Sequence, residues 1–503
     1  MRSTLFDGER AVRCLFARCL YSIHGGAVTL TAPPLTSRRN RAFDVTILGV
    51  LPPATAIRQR TFFGEPRALG YLAFTEAWER FSYYGMTALL VLYMSQALIM
   101  PGHIEHVVGF TAFRSIVEGV FGRMSAIALS SQIFGLYTGL VYFTPVLGGW
   151  VADRWMGQRN AVALGAVLMS AGHLAMAFDA SFLLALLLLI VGCGFLKGNI
   201  STQVGGLYAE TDRAGRARGF SIFSIGINVG AVAGPLLCGL LAQIYGWHAG
   251  FGLAGLLMLI GLATYLAGYR ELSASVRTRP AAAAALPLDR AQWRTIGALF
   301  AVMFITMFQS IAYYQNSNVA LIWIDRSVDL ELLGYRIPTG WFNSIDPFVS
   351  IVAVPFLLAL WRRQALRGAE PAEIAKIGTG AWIACAANLL LAAGCAATDR
   401  VPIGVPIAYD VLLGVAFLYY WPTLLALVSR ASPPRVRATL MGTAFLSLFL
   451  SNVTIGRIGA VFEQMTPMEF WALHAGIAAA GGVLASTWGR RLERELAPPS
   501  RAH

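Results

Sequence analysis

Charged residues are scarce in this sequence of 503 residues, of which 13% are Asp, Glu, Lys or Arg and 56% are hydrophobic. In a soluble globular protein about a quarter of the residues are charged. Half that share cannot cover the water-exposed surface of a chain this long, so most of the chain is expected to face lipid. The composition therefore disfavours soluble enzymes, nucleic-acid binding proteins and disulfide-rich scaffolds.

Lysine and cysteine are also few, since only Lys197 and Lys376 stand among 39 basic residues and the six cysteines are scattered. None of the cysteines has the spacing of metal ligands, and buried thiols are their expected state. We predict no metal site, no catalytic residues and no nucleic-acid partner. The net charge of +13 comes from arginines that cluster between apolar segments, which is typical of membrane orientation.

Long apolar segments recur from about residue 68 onward, and each is long enough to cross a bilayer as a helix. The twelve predicted segments are 69–98, 127–151, 158–179, 181–204, 219–242, 247–269, 293–322, 340–361, 375–396, 402–429, 436–461 and 468–488. The alternation that a membrane β-barrel requires is absent. Helices are therefore predicted, because they satisfy every backbone group within hydrocarbon.

The basic residues between these segments are unevenly distributed. The even-numbered connections and the C-terminal tail contain 21 of them, whereas the odd-numbered connections contain five. Since basic residues accumulate on the cytoplasmic side, both termini are predicted to be cytoplasmic. The longest cytoplasmic connection separates two groups of six helices, an organisation typical of secondary transporters.

This organisation predicts an all-α membrane protein divided into five regions. They are a disordered Arg-rich extension (1–65), an N-terminal six-helix bundle (66–270), a cytoplasmic linker (271–292), a C-terminal six-helix bundle (293–490) and a cytoplasmic tail (491–503).

Three ionisable residues are predicted on one face of the first helix. Glu79 and Arg80 follow Glu76 by three and four positions along it, with Tyr83 and Tyr84 one turn further. An ionisable group at a helix centre costs about 2.5–3.5 kcal/mol on insertion scales, which makes it a functional candidate. Two carboxylates beside one guanidinium allow one acid to remain paired while the other titrates, as proton coupling requires. The alternative is an ion-pair network that only fixes helix packing.

Lys197 lies among small residues in the fourth predicted helix, in the segment GCGFLKGNIS. Small residues allow neighbouring helices to approach closely. An isolated ammonium group in this position requires a carboxylate or an anionic ligand. The alternative is that its side chain extends to the membrane interface.

The segment EAWERFSYYGM at 76–86 resembles the first-helix signature of the proton-dependent oligopeptide transporter (POT) family of the major facilitator superfamily. Further matches follow in family order at 148–157, 195–201, 220–230, 337–347 and 438–442. The resemblance implies the twelve-helix major facilitator superfamily fold, inward proton symport and alternating access.

By position, the resemblance implies roles for individual residues. It assigns proton coupling to Glu76, Glu79 and Arg80, and the substrate carboxylate or coupling to Lys197. The residues implied in the substrate pocket are Tyr84, Tyr142 and Asn228, and those in the cytoplasmic gate motif after the second helix are Gly149, Asp153, Arg154 and Gly157.

Several positions depart from the family pattern inside the pocket. Thr87 stands where the family usually has a basic residue after YYGM. Tyr314 and Phe417 stand where the family usually has an acid, in helix 7 and in helix 10. The loss of the last acid removes the expected partner of Lys197 and of a peptide amino group. We therefore predict that Lys197 pairs with Asp346 and that Asp346 serves both coupling and substrate binding. The candidate substrate-binding set is completed by Tyr83 and Trp421.

The leading functional prediction is a proton-coupled symporter of the inner (plasma) membrane that imports di-/tripeptides or peptide-like solutes. Its expected partners are the substrate, H⁺ and the lipid bilayer, it is expected to act as a monomer, and the proton gradient replaces any cofactor. The alternative is a family member retuned to a non-peptide organic solute, such as an amino-acid derivative or a drug-like compound. A membrane enzyme is a remote third candidate, since no HExxH motif and no phosphate-binding loop are present.

Overall fold

The computed structural model describes residues 61–209, 211–272 and 288–497, together with the antiparallel strands β1 (Ile23–His24) and β2 (Ala27–Val28). Most of the extension predicted to be disordered, the middle of the predicted linker and the end of the tail lie outside the described residues. The last residues of the extension form a second antiparallel pair, β3 (Thr61–Phe62) and β4 (Glu65–Pro66). The prediction of disorder is therefore wrong for residues 61–65.

The described helices form two groups in chain order. The first group is α1 (Arg67–Tyr93), α2 (Phe110–Phe121), α3 (Ala126–Val151), α4 (Gly157–Ala175), α5 (Phe182–Gly206), α6 (Arg213–Tyr245) and α7 (Trp247–Gly268). The second group is α8 (Arg290–Tyr314), α9 (Val319–Ser327), α10 (Ile345–Leu366), α11 (Glu373–Ala397), α12 (Gly404–Ala431), α13 (Arg437–Gly459) and α14 (Pro467–Leu496). Short strands β5 (Val328–Asp329), β6 (Glu331–Leu332), β7 (Tyr335–Arg336) and β8 (Val401–Pro402) lie in the connections.

Ten helical stretches of the described residues are long and apolar enough to cross a membrane. One of them, Ala126–Ala175, is 50 residues long and comprises α3, the π-helical turn Ala152–Met156 and α4. Helix α1, which contains Glu76, Glu79 and Arg80, is not among the ten. The chain is thus a largely helical protein with many candidate membrane spans, as predicted.

Most predicted segments coincide with one helix to within a few residues, but two differ. The segment predicted at 293–322 is interrupted after Tyr314 by the 3₁₀ turn Gln315–Ser317, and the chain then continues as α9. Helix α14 extends to Leu496, beyond the predicted end at residue 488. Its start is fixed by a capping box, in which the side chains of Thr466 and Glu469 each accept a hydrogen bond from the other's backbone amide.

Helices α1 and α6 pack closely beside the charged segment of α1. A Cβ atom added at Gly234 would lie 2.9 Å from the backbone nitrogen of Gly85, and one added at Gly230 would lie 2.9 Å from Cβ of Arg80. The absence of side chains at both glycines allows the backbones to approach, as small residues do in membrane helix packing. This packing helps to remove Arg80 from solvent.

Hydrogen bonds between the two helix groups cluster near one end of the bundle, which we call the closed end. They include Gln96 to Asp325 (2.9 Å), Asn318 to Ser131 (2.8 Å), the Trp341 indole to the Leu236 carbonyl (2.9 Å) and Ser344 to the Val232 carbonyl (2.8 Å). Gln96 follows α1, Ser131 lies in the second turn of α3 and Ser344 precedes α10. Val232 and Leu236 lie in the C-terminal half of α6. By contrast, none of the residues of α10 is buried.

Candidate functional site

The charged cluster of α1 is deeply buried. Glu76, Glu79 and Arg80 are 3%, 0% and 4% exposed. The Arg80 Nε atom lies 3.2 Å from Oε1 of Glu76 and also forms an ion pair with Glu79. The helical spacing thus brings one guanidinium against two carboxylates.

Each carboxylate of this cluster retains an oxygen without a protein partner. Glu76 Oε2 and Glu79 Oε1 are buried and have no hydrogen-bond partner among the described residues. A buried acceptor of this kind is costly unless it is satisfied, for example by a proton. The cluster can therefore hold a proton on one acid while Arg80 remains paired with the other.

Lys197 of α5 faces the same region but not the partner that the sequence predicts. Its Nζ atom lies over the ring of Tyr142, 4.5 Å from the centroid, and 5.9 Å from the centroid of Tyr83. No carboxylate of the described residues lies within 4.0 Å of it. The predicted Lys197–Asp346 ion pair is absent, and the aromatic faces stabilise the ammonium instead.

Asp346 is already engaged by another residue. The Tyr313 hydroxyl donates a hydrogen bond to Asp346 Oδ2. The Tyr313 ring stacks on Phe417, with centroids 5.2 Å apart and planes at 29°. Asp346 therefore belongs to the second helix group, and Tyr313 holds it there rather than Lys197.

Aromatic side chains from both groups meet in the middle of the bundle. The hydroxyl oxygens of Tyr142 and Tyr314 are 3.2 Å apart, and the Tyr313 and Tyr314 rings are 4.9 Å apart. On the first group, Tyr83 and Tyr84 pack edge to face at 5.3 Å. Together with Lys197, they form a cationic and aromatic lining, which we call the aromatic site. Such a lining suits an organic solute that carries a carboxylate.

Other predicted pocket residues occupy less direct positions. Thr87 is buried and donates its hydroxyl to the Tyr83 carbonyl on its own helix. Asn228 is half-buried and its amide donates to the Ser224 carbonyl, also on its own helix. Trp421 packs against Phe445, with centroids 5.5 Å apart. The structure does not join these three to Lys197 by a direct contact.

The predicted gate motif lies at the end of α3 that is remote from the closed end. Asp153 and Arg154 are exposed in the π-helical turn, and Gly157 follows it with φ = +74°. A side chain is strained at that φ, which explains glycine at the turn. Gly149 has open space around its Cα, since nothing lies within 4 Å of an added Cβ.

Sequence reasoning missed Tyr313, which contacts both Asp346 and Phe417. A signal for it exists, because the Tyr-Tyr dipeptide of α1 at 83–84 recurs in α8 at 313–314. Within the described ranges, no group of three or more His, Cys, Asp or Glu residues is placed to hold a metal ion. A cavity of about 610 Å³ lies apart from the site, between β3, α1 and α7.

The chain is similar in sequence and fold to known transporters. The model of the POT family matches residues 159–283 and 281–472. The peptide transporter YePEPT of Yersinia enterocolitica is 29% identical over 480 residues, covering 80% of this chain and 88% of that protein. A di-/tripeptide transporter of Lactococcus lactis subsp. cremoris is 26% identical over 506 residues, covering 85% and 95%. A crystal structure of a peptide transporter POT in complex with alafosfalin has 25% identity and a TM-score of 0.76, covering 87% and 97%.

Proposed function

Because the chain belongs to the POT family, we propose that it is a proton-coupled symporter that imports di-/tripeptides or peptide-like solutes across the inner (plasma) membrane. The observation that carries the proposal is the buried cluster of Glu76, Glu79 and Arg80 on the same side of the bundle as the ammonium of Lys197, which has no carboxylate partner among the described residues. The cluster supplies a proton site and Lys197 supplies a carboxylate site. Neither arrangement is a good device for stability alone.

We propose twelve transmembrane helices, namely α1, α3–α8 and α10–α14. The ten apolar stretches become eleven when Ala126–Ala175 is divided at its π-helical turn, and α1 is the twelfth. The distribution of arginines supports cytoplasmic termini. The closed end would then be extracytoplasmic, and the arrangement would correspond to an inward-open conformation; the absence of buried residues in α10 is compatible with this assignment.

Proton and substrate binding would act together on the equilibrium between inward-open and outward-open conformations. Protonation of Glu79 or Glu76 weakens its attraction to Arg80, which leaves the guanidinium with one carboxylate. The substrate carboxylate replaces the ring contacts of Lys197. No cofactor is needed in this scheme, because the proton gradient supplies the free energy, and one chain contains every group involved.

The alternative substrate class is favoured by one observation at the aromatic site. A peptide amino group requires an acceptor, but Phe417 stands where the family has an acid and Asp346 is bound by Tyr313. Among the described residues, the lining therefore contains the cation of Lys197 with no carboxylate within 4.0 Å of it, and Asp346 already accepts a hydrogen bond from Tyr313. This charge balance favours a carboxylate solute whose other end is apolar, such as an amino-acid derivative.

Uptake by the purified protein in proteoliposomes tests the proposal. An inward pH gradient should raise the initial uptake of a labelled dipeptide, and Glu79→Gln should remove this stimulation while substrate exchange persists. Glu331→Gln, in the exposed strand β6, is the matched control. Uptake that ignores the gradient for all solutes tested would reject proton coupling. Competition by dipeptides, compared with N-acylated analogues that lack the amino group, separates the two substrate classes.

A further inference from the structure

A second pair of acids lies in the C-terminal helix group, apart from the cluster of α1. Asp410 of α12 is 3% exposed, and its Oδ2 atom has no hydrogen-bond partner among the described residues. Asp346 of α10 likewise has a buried Oδ1 atom without a partner in the described part of the chain. The second group thus places two carboxyl groups, each with a buried and unpartnered oxygen, on facing helices.

Gly414 brings the two acids near each other. A Cβ atom added at Gly414 would lie 3.1 Å from Asp346 Oδ1, so this oxygen reaches the surface of α12 where no side chain intervenes. Asp410 precedes Gly414 by four residues and lies on the same face of α12, about 6 Å away along the helix axis. This geometry brings the two carboxyl groups close enough for the charge of one to disfavour the charge of the other.

The described surroundings of this pair contain no counter-charge. Among the described residues, no Lys, Arg or His lies within 4.0 Å of either carboxyl group. The titratable side chains near the pair are phenols: Tyr84, Tyr313 and Tyr420 feel the charge of Asp346, and Tyr409 feels that of Asp410.

Two neighbouring carboxylates with buried oxygens and no counter-charge nearby cannot both remain ionised. An isolated buried carboxylate neutralises by binding a proton, and two that interact titrate as one unit. We propose that Asp346 and Asp410 form a second proton-binding site, in which Asp410 holds a proton at neutral pH and Asp346 binds another on acidification. Asp410 is expected to hold its proton more tightly than Asp346, because Asp410 is buried whereas Asp346 is half-buried and already accepts a hydrogen bond from Tyr313.

This site communicates with the aromatic site through Tyr313. Tyr313 donates to Asp346, stacks on Phe417 and packs against Tyr314. Protonation of Asp346 weakens the acceptor of the Tyr313 hydroxyl and so loosens one wall of the aromatic site. The existence of the proton site is independent of transport, whereas this link to substrate rests on the proposed function.

Infrared difference spectroscopy of the purified full chain in lipid tests the site without any substrate. At neutral pH, the wild type should show a protonated carboxyl C=O band that Asp410→Asn lacks. Acidification should add a second band that Asp346→Asn lacks. Asp399→Asn, which removes an exposed acid from the connection before α12, is the control and should leave both bands unchanged. Asp410→Glu should shift the first band rather than remove it, which serves if the Asn variant does not fold.

Identical carboxyl bands in the wild type, Asp346→Asn and Asp410→Asn at both pH values would overturn the site. The carboxyl bands could behave as expected while uptake does not respond to a pH gradient. That result would support the proton site and reject the proposed function. Gradient-driven uptake with unaltered bands would uphold the function and reject the site. Under the proposal, Asp346→Asn should also make the pH dependence of uptake shallower than that of Asp399→Asn.

Discussion

The hydroxyl groups of Tyr142 and Tyr314 meet across the two helix groups at an oxygen–oxygen distance of 3.2 Å. Tyr142 also lies beneath the ammonium of Lys197, so one residue joins the cation of the first group to the aromatic wall of the second. This contact is a direct link between the aromatic site and the relative position of the two groups.

Tyr314→Phe should shift the protein away from the inward-open conformation by about two- to tenfold, since a net hydrogen bond is worth about 0.5–1.5 kcal/mol. Distances between spin labels at positions 105 and 331 in a cysteine-free background measure this shift. Tyr245→Phe removes an exposed hydroxyl near the end of α6 and should leave the distances unchanged. Equal distributions in all three proteins would show that the hydroxyl contact does not couple the groups.

Arg80→Ala should destabilise the protein by about 3–5 kcal/mol, because it leaves two buried carboxylates without their partner. Replacing Glu76 and Glu79 by Gln in the same chain should restore most of the loss in Tm, since the buried charges are then gone. Thermal unfolding in detergent measures both changes. A triple variant no more stable than Arg80→Ala would mean that packing, not charge, explains the effect.

Lys197→Gln should weaken binding of a carboxylate solute at least tenfold, which corresponds to about 1.4 kcal/mol. The only other lysine of the chain provides the matched control. Lys376 lies 2.5 Å from Glu370 and over the Trp361 ring at 4.1 Å, so Lys376→Gln should retain wild-type affinity. Calorimetric titration with a dipeptide compares them, and equal losses in both variants would contradict the assignment of Lys197.

Gly135→Ala should disrupt the closed end. The added Cβ would lie 2.5 Å from the Asn452 carbonyl oxygen and 2.7 Å from Cα of Gly456, so α3 and α13 would have to separate. Overpacking of this kind costs about 1–3 kcal/mol. Gly252→Ala, where nothing lies within 4 Å, should leave transport unchanged. Solute exchange across liposomes provides the comparison, and normal exchange by Gly135→Ala would mean that this close approach is dispensable.

We predict that the ionisation of Glu118, at the connection between α2 and α3, makes the stability of the protein depend on pH in the acid range. Arg114 donates to Glu118 Oε1 at 2.9 Å and the Met124 backbone donates to the same oxygen at 3.2 Å, and these bonds hold the pKa of Glu118 below its usual 4.5. The stabilisation is therefore present above that value and is lost as the pH falls through the lowered pKa.

The difference in Tm between wild type and Glu118→Gln should accordingly shrink on acidification. Glu105→Gln, an exposed acid in the preceding connection, serves for comparison. A difference that stays constant across the acid range would assign the effect to lost packing rather than to charge.

Hydropathy located most helices because the length and apolar composition of a span are properties of the local sequence. The interruption after Tyr314 was not predictable in this way. It is stabilised by a distant partner, since Asn318 donates to Ser131 across 187 positions of the chain. Helix α2 was missed because its 12 residues are too few to span a membrane.

The spacing of Glu76, Glu79 and Arg80 predicted their contact because the helical period alone places them together. The partner of Lys197 was predicted wrongly for a related reason. Which carboxylate an ammonium meets depends on the depth and rotation of two helices in different groups, and neither is encoded in a local pattern. Asp346 accepts a hydrogen bond from Tyr313 instead, and this contact is visible only in the three-dimensional structure.

The contact between Tyr142 and Tyr314 also bears on which part of a cargo the proposed function would restrict. The two phenols join the helix groups, and the centroid of the Tyr142 ring lies 4.5 Å from the ammonium of Lys197. Under the proposed function, a carboxylate bound by Lys197 is fixed beside this contact, whereas the other members of the aromatic site are uncharged phenols. Selection should therefore be strict for the anchored end of a cargo and permissive for its trailing end.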